Sequence, residues 1–164
     1  MRLGTRPREM GMRRTMLLAA ALAAIPLAAT AQTDGPAAGL TPEQIVGARR
    51  SAYALSAGDF VAMKAAADGG ADVHTLVLPA RALARWARTL PSLFPAGTNL
   101  PSRKALPTVW SDRAGFEARA AAYADAARTL AEAAQSGDRA LFLTRWGEVR
   151  AACSACHDTY RSSD

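Results

Sequence analysis

The 164-residue chain is short of aromatics, at 6%, and holds only two cysteines and two histidines. Two cysteines are too few for a disulfide scaffold. Charged side chains make up 21% against 50% hydrophobic, so the chain is not a disordered, solvated polymer. Twelve glycines and nine prolines are ordinary counts and exclude collagen-like and linker-like sequences. No apolar run reaches the roughly 20 residues needed to cross a bilayer. No Ser/His/Asp set and no phosphate loop is visible, so no catalytic constellation is expected. What the chain has in plenty is alanine, the best helix former and a poor strand former. Length and composition therefore predict one all-α domain.

The net charge of +6 is unevenly placed. The first 31 residues hold five arginines and one acid, Glu9, which leaves 15 basic and 13 acidic side chains in the other 133 residues. A remainder of +2 gives no case for nucleic acid. Met1–Arg14 is basic, Met16–Ala29 is apolar, and Ala29-Thr30-Ala31 is a small–x–small cleavage pattern. Residues 1–31 read as a cleaved secretory signal peptide, too short in its apolar part for an anchor. The expected product is residues 32–164, exported to the periplasm, with no membrane span.

Four helices are predicted in that product. Thr41-Pro42-Glu43-Gln44 is a start signal with a capping box and a proline in the first turn, and the first helix runs to about Ala67, before Gly69-Gly70. The second ends before Pro91. Asp72 is a candidate cap for it, in which case Pro79 kinks the helix or forces a later start. A proline-rich connection covers residues 91–110, long enough to be functional or packed on a ligand. Ser111 or Asp112 caps the third helix, whose Phe116, Ala120, Tyr123, Ala127, Leu130 and Ala134 form a seam, and Gly137 closes it. The fourth opens at Asp138, with Leu141, Phe142, Trp146, Val149, Cys153, Cys156 and Tyr160 assigned to its inner face. The expected architecture is an antiparallel four-helix bundle.

Cys153-Ser154-Ala155-Cys156-His157 is C-x-x-C-H, the attachment motif for c-type haem. Two thiols form thioethers with the haem vinyl groups. Positions i, i+3 and i+4 share one helix face, so both cysteines and His157 can address one planar ligand. A thioredoxin-like dithiol would sit at a helix start after a strand, and this motif lies late in the last helix. A zinc site asks for four ligands, and beyond this cluster the chain offers only His74 and no third cysteine. The motif therefore assigns one covalent haem c through Cys153 and Cys156, with His157 as axial iron ligand.

This chain resembles the cytochrome c′ family, the class II c-type cytochromes, in which the haem motif closes a four-helix bundle. Residues 153–161, Cys-Ser-Ala-Cys-His-Asp-Thr-Tyr-Arg, are similar to the family's ending. Pro107-Thr108-Val109-Trp110-Ser111-Asp112 is similar to its start of the third helix. Leu93-Phe94-Pro95-Ala96-Gly97-Thr98 and Arg49-Arg50-Ser51-Ala52, with Phe60 and Met63, carry it further. Pro79 and a slightly longer connection before the third helix are departures. The resemblance implies that Arg49, and more weakly Arg50, lie near the haem propionates, that Tyr53 covers the distal face, and that Arg161 stands beside the proximal imidazole. Each has a plainer reading, as a solvated charge or as core. Arg103 and Lys104 are further propionate candidates that the sequence leaves undecided. Trp86, Trp110 and Trp146 are assigned to the core, and His74 to the surface.

Two functions follow from the resemblance. One is a five-coordinate, high-spin haem for electron transfer or for binding nitric oxide or carbon monoxide. The other is a low-spin relative of the c-556 kind, an electron carrier with methionine as sixth ligand. Met63 is the only methionine after residue 31. It lies ten residues past Tyr53, about 15 Å of helix rise, which favours the first reading. The expected distal surroundings of Tyr53 are alanine and leucine, with haem as part of the core. The resemblance also implies a homodimer through the first two helices. A haem-free binding module is the third possibility, and a colourless purified protein would point to it.

Overall fold

The computed structural model describes residues 39–101 and 104–163. The signal-peptide reading of residues 1–31 lies outside them, and everything below concerns the compact unit Asp34–Asp164. The elements in order are α1 (Pro42–Asp68), a 3-10 turn (Val73–Leu76), α2 (Val77–Thr89), a second 3-10 turn (Leu90–Leu93), the single-turn α3 (Thr108–Ser111), α4 (Arg113–Ser136) and α5 (Arg139–Tyr160). Helices α1, α2, α4 and α5 form the antiparallel four-helix bundle. No strand occurs among the described residues, only one isolated bridge between Ala105 and Arg161.

The local signals act where the sequence puts them. Thr41 N–H donates to Gln44 Oε1 at 2.8 Å and Gln44 N–H to Thr41 Oγ1 at 3.3 Å, so both halves of the capping box form. Of the two candidate caps for the third bundle helix, Asp112 takes the role, accepting from Gly115 N–H. Asp138 caps α5 by accepting from Leu141 N–H at 2.9 Å. Gly137 ends α4 at φ 74°, with the His74 imidazole against it.

Of the two alternatives for Pro79, the later start of α2 is the one observed. Asp72 caps the 3-10 turn by accepting from His74 N–H. The chain then runs straight into α2 at Val77, and Pro79 is its third residue. The first four N–H groups of a helix have no partner within it, so the missing proline N–H costs nothing there and no kink is needed.

The predicted α4 seam is buried at every position, Phe116, Ala120, Tyr123, Ala127, Leu130 and Ala134. On α5, Phe142, Val149 and Tyr160 are buried and Trp146, Cys153 and Cys156 are half-buried. Leu141 is the exception, an exposed side chain in the first turn, one residue and about 100° around the helix from Phe142. Arg139 ties the bundle together at this end. Its Nε donates to Ala67 O at 2.7 Å and its Nη2 to Asp68 O at 3.1 Å, which joins the start of α5 to the last carbonyls of α1.

Helix α1 is bound to the bundle at its two ends rather than along its length. Ile45, Val46 and Arg49 are buried near its start and Met63 and Ala67 near its finish, and nothing from residue 50 to 62 is buried. The Phe60 ring stacks on Trp146 at 4.3 Å, and Trp146 Nε1 donates to Phe60 O at 2.9 Å. On the N-terminal side of this clamp, a face of α1 looks across open space to the end of α5.

Candidate haem site

That open space is a cavity of about 490 Å³, within the range of small-molecule and cofactor sites. Helix α1 contributes Val46, Arg49, Arg50, Tyr53, Ala54 and Ala57 to its wall. The connection between α2 and α4 adds Phe94, Lys104, Ala105 and Val109, and α5 adds Cys156, His157, Tyr160 and Arg161. Six of the seven sequence-assigned site residues thus meet at one place: Arg49, Arg50, Tyr53, Cys156, His157 and Arg161. Cys153, the seventh, is half-buried one turn before Cys156, against the core. Both thiols are free. Burial pushes each thiol's pKa up, as expected of sulfurs in apolar surroundings.

The connection is held by two arginines from opposite sides. Arg49 Nη1 donates to Leu93 O at 3.0 Å and its guanidinium lies 4.0 Å from the centre of the Phe94 ring. Arg113 donates to Phe94 O and Pro91 O at 3.0 and 2.9 Å. Trp110 Nε1 donates to Pro95 O at 2.9 Å. Farther along, the connection is sewn to the end of α5. Leu106 N–H donates to Tyr160 O, Ser162 N–H to Lys104 O, and Tyr160 Oη to Asp Oδ2 of the α4 cap, Asp112, at 2.6 Å. Arg113, Phe94 and the Tyr160–Asp112 pair were missed from sequence. The signal available was the proline-rich length of the connection, which says that it packs on something but not which groups hold it.

The lining is built for a flat apolar body with anionic edges. Among the described residues its cations are Arg49, Arg50, Lys104 and Arg161, and no aspartate or glutamate lines it. Arg49 is buried, with 4% of its surface exposed, and among the described residues it has no carboxylate partner. Burial lowers its pKa, with the neighbouring Tyr53 phenol opposing that shift. A buried cation needs a counter-charge, and guanidinium groups match carboxylates. The two propionates of a haem are such carboxylates, and Cys156 and His157 line the same cavity, with Cys153 one helical turn before Cys156. The residues fit the group.

His157 is exposed to this space. Partial burial of its ring, with the Arg161 charge second, lowers its pKa and keeps the imidazole neutral, the ligating form. Its Nδ1 lies 3.4 Å from Arg161 Nη1. Burial, reinforced by the nearby Cys156 sulfur, raises the Tyr53 pKa, so that side chain is a neutral phenol. It packs edge-on against Trp86 at 5.2 Å. The neighbours of Tyr53 in the cavity include Ala54 and Ala57 as expected, but no leucine. Leu55 is 72% exposed, because it falls on the opposite side of α1. Trp110 and Trp146 are half-buried against the core. Trp86 packs there too, yet its buried Nε1 has no acceptor among the described residues.

Comparison with known proteins agrees with this geometry. A family profile described as cytochrome C′ matches residues 44–161. The chain belongs to the cytochrome c′ family. It is 33% identical over 123 residues to cytochrome c′ of Pararhodospirillum photometricum, covering 74% of this chain and 98% of that one. It is 36% identical to cytochrome c′ of Rubrivivax gelatinosus, covering 73% and 95%. Among solved structures, a nitric oxide complex of a single-site variant of cytochrome c prime from Alcaligenes xylosoxidans superimposes with a TM-score of 0.70 at 32% identity, covering 76% of this chain and 98% of that one. The 1.3 Å structure of cytochrome c′ from Rubrivivax gelatinosus gives 0.69 at 32%, covering 75% and 98%. The protein is a c-type haem cytochrome, and Cys153 and Cys156, its only cysteines, are the covalent attachment points of its haem c.

Proposed function

We propose that this cytochrome holds a five-coordinate, high-spin haem in the periplasm, as a homodimer, and serves electron transfer, binding of nitric oxide or carbon monoxide, or both, rather than catalysing a reaction of its own. The single observation that carries the reading is that Tyr53 lines the cavity while Met63 lies in the core, 1% exposed and absent from the cavity wall. The electron-carrier alternative needs a methionine where the phenol stands. A neutral phenol is a poor metal ligand at neutral pH.

Haem iron supplies one-electron chemistry and an affinity for diatomic gases. The protein supplies the rest. His157 would offer a neutral imidazole nitrogen to the iron. A ligand through Nε2 keeps its proton on Nδ1, and a guanidinium has no acceptor, so Arg161 acts there as a charge beside the ring. That charge disfavours any build-up of positive charge on the imidazole and weakens it as a donor. Arg49 and Arg50 anchor the propionates. Tyr53, with Ala54 and Ala57, would keep water out of the cavity, and a gas entering it would have to displace the phenol ring. The dimer reading is supported by Leu55, Val61 and Leu78, large apolar side chains exposed on α1 and α2. The relative solved with nitric oxide supports the choice of gas.

The test is an optical spectrum of ferric and ferrous protein, with and without carbon monoxide. High-spin bands are expected, with conversion by carbon monoxide, faster and tighter in Tyr53→Ala. A ferrous protein already showing the sharp split bands of a low-spin haem moves it to the electron-carrier class.

A further inference from the structure

A second cavity, about 450 Å³, lies between α2 and α4 and shares no lining residue with the first. Its floor includes two buried alanines, Ala84 of α2 and Ala131 of α4. Its rim is arginine: Arg81, Arg85 and Arg88 from α2 and Arg128 from α4, with Glu132 as the one lining acid among the described residues. The two helices run in opposite directions here, since Arg81 Nη2 donates to Gln135 Oε1 at 2.8 Å and Arg88 therefore lies at the Arg128 end.

The charge on this rim is not what the rest of the bundle does. Among α1, α4 and α5, arginines and lysines are interleaved with acids, and most ion pairs close within one turn. Helix α2 carries three arginines and no acid in its 13 residues. Positions i, i+4 and i+7 put all three on one face, where like charges repel. Glu132 is already engaged by Arg128 at 2.7 Å, and Arg85 and Arg88 make no ion pair among the described residues. The fold thus accepts a repulsion that a multivalent anion would relieve. Guanidinium groups reach the groove from two walls. A tetrahedral oxyanion can accept hydrogen bonds from both, whereas a planar carboxylate accepts best in one plane.

We propose that the α2/α4 groove is a binding site for a phosphate-bearing anion, either free in solution or the headgroup of a lipid, with Arg85 and Arg88 as its principal contacts. The site is independent of the haem, so its failure and a failure of the haem reading are distinguishable.

The experiment uses the holo-protein at low ionic strength, titrated calorimetrically with pyrophosphate. Saturable binding is expected. Arg85→Gln combined with Arg88→Gln should weaken it about tenfold or more, while Arg145→Gln combined with Arg150→Gln, which removes equal charge from α5, should leave it within about twofold. An unchanged visible spectrum and far-UV circular dichroism show that the variants stay folded. Co-sedimentation with vesicles separates the sources. Capture by phosphatidylglycerol but not phosphatidylcholine vesicles, reversed by pyrophosphate, assigns a headgroup, and pyrophosphate binding without capture assigns a free anion. No saturable pyrophosphate binding, or equal losses in the two double variants, overturns the proposal. Vesicle capture that pyrophosphate cannot compete also overturns it.

Discussion

The two ends of the bundle are made from the same helices and differ in how they are filled. At the closed end, where α1 finishes and α5 begins, Met63, Ala67, Leu130, Ala134, Phe142 and Val149 are all at most 1% exposed. Side chains fill that end by themselves. At the open end, where α1 begins and α5 finishes, Arg49, Arg50, Tyr53, Ala54, Ala57, Cys156 and His157 surround a cavity. Alanine explains both. Between α2 and α4 it allows close approach, as Ala80, Ala87, Ala127 and Ala134 show. Facing the cavity, Ala54 and Ala57 leave room for a cofactor. The lesson is that a chain with few aromatics can build a full core if the missing volume at one end is supplied by a bound group.

The largest effect expected from a single change lies at the closed end. Phe142→Ala should destabilise the holo-protein by about 3–5 kcal/mol, since a buried ring leaves a cavity that nothing fills. Denaturant melts followed by far-UV circular dichroism check it, and a loss below about 1 kcal/mol would mean that the closed end is not the stable part. Next comes removal of the cofactor by Cys153→Ala with Cys156→Ala. Each 100 Å² of apolar surface left uncovered costs about 2.5 kcal/mol. Amide exchange should accelerate first in residues 45–60 and 104–109, with residues 127–149 still protected. Uniform loss of protection would break the contrast between the ends.

A smaller effect is expected at Gly137. An alanine there must hold a positive φ, and its Cβ would stand 2.5 Å from His74 Nε2, for a cost of about 1–2 kcal/mol. The smallest concerns the seam of the open end. The hydrogen bond to Asp112 pushes the Tyr160 pKa from 10.0 up to about 12. A folded-state value above the unfolded one adds stability that is complete below about pH 10 and lost as pH rises towards 12. Wild type should therefore be more stable than Tyr160→Phe at neutral pH, with the difference gone by about pH 12. A difference that does not change across that range would show that the hydroxyl is not the source.

Much of this was legible in the residues. Capping signals at Thr41 and Asp138, the α4 seam and the C-x-x-C-H motif are local, repetitive or chemically unmistakable. The second helix was less clear, because whether Pro79 breaks a helix depends on its distance from a start that a 3-10 turn had displaced. Leu141 was placed on an inner face by assumption, and one residue of rotation sends a side chain to solvent. The roles of Arg49 and Lys104 depended on a connection whose path no periodicity describes.

By itself the sequence determined the helices, their order, and the haem attachment by Cys153 and Cys156, because each depends on spacings of a few residues along one helix. Only the tertiary structure decided that Arg49, Arg50, Lys104 and Arg161, from three separate segments, meet around one cavity with no acid among the described lining residues. It alone placed Tyr53 at that cavity and Met63 in the core, and gathered four arginines of α2 and α4 on one groove. Those facts rest on contacts between residues tens of positions apart, and such contacts exist only once the helices have packed.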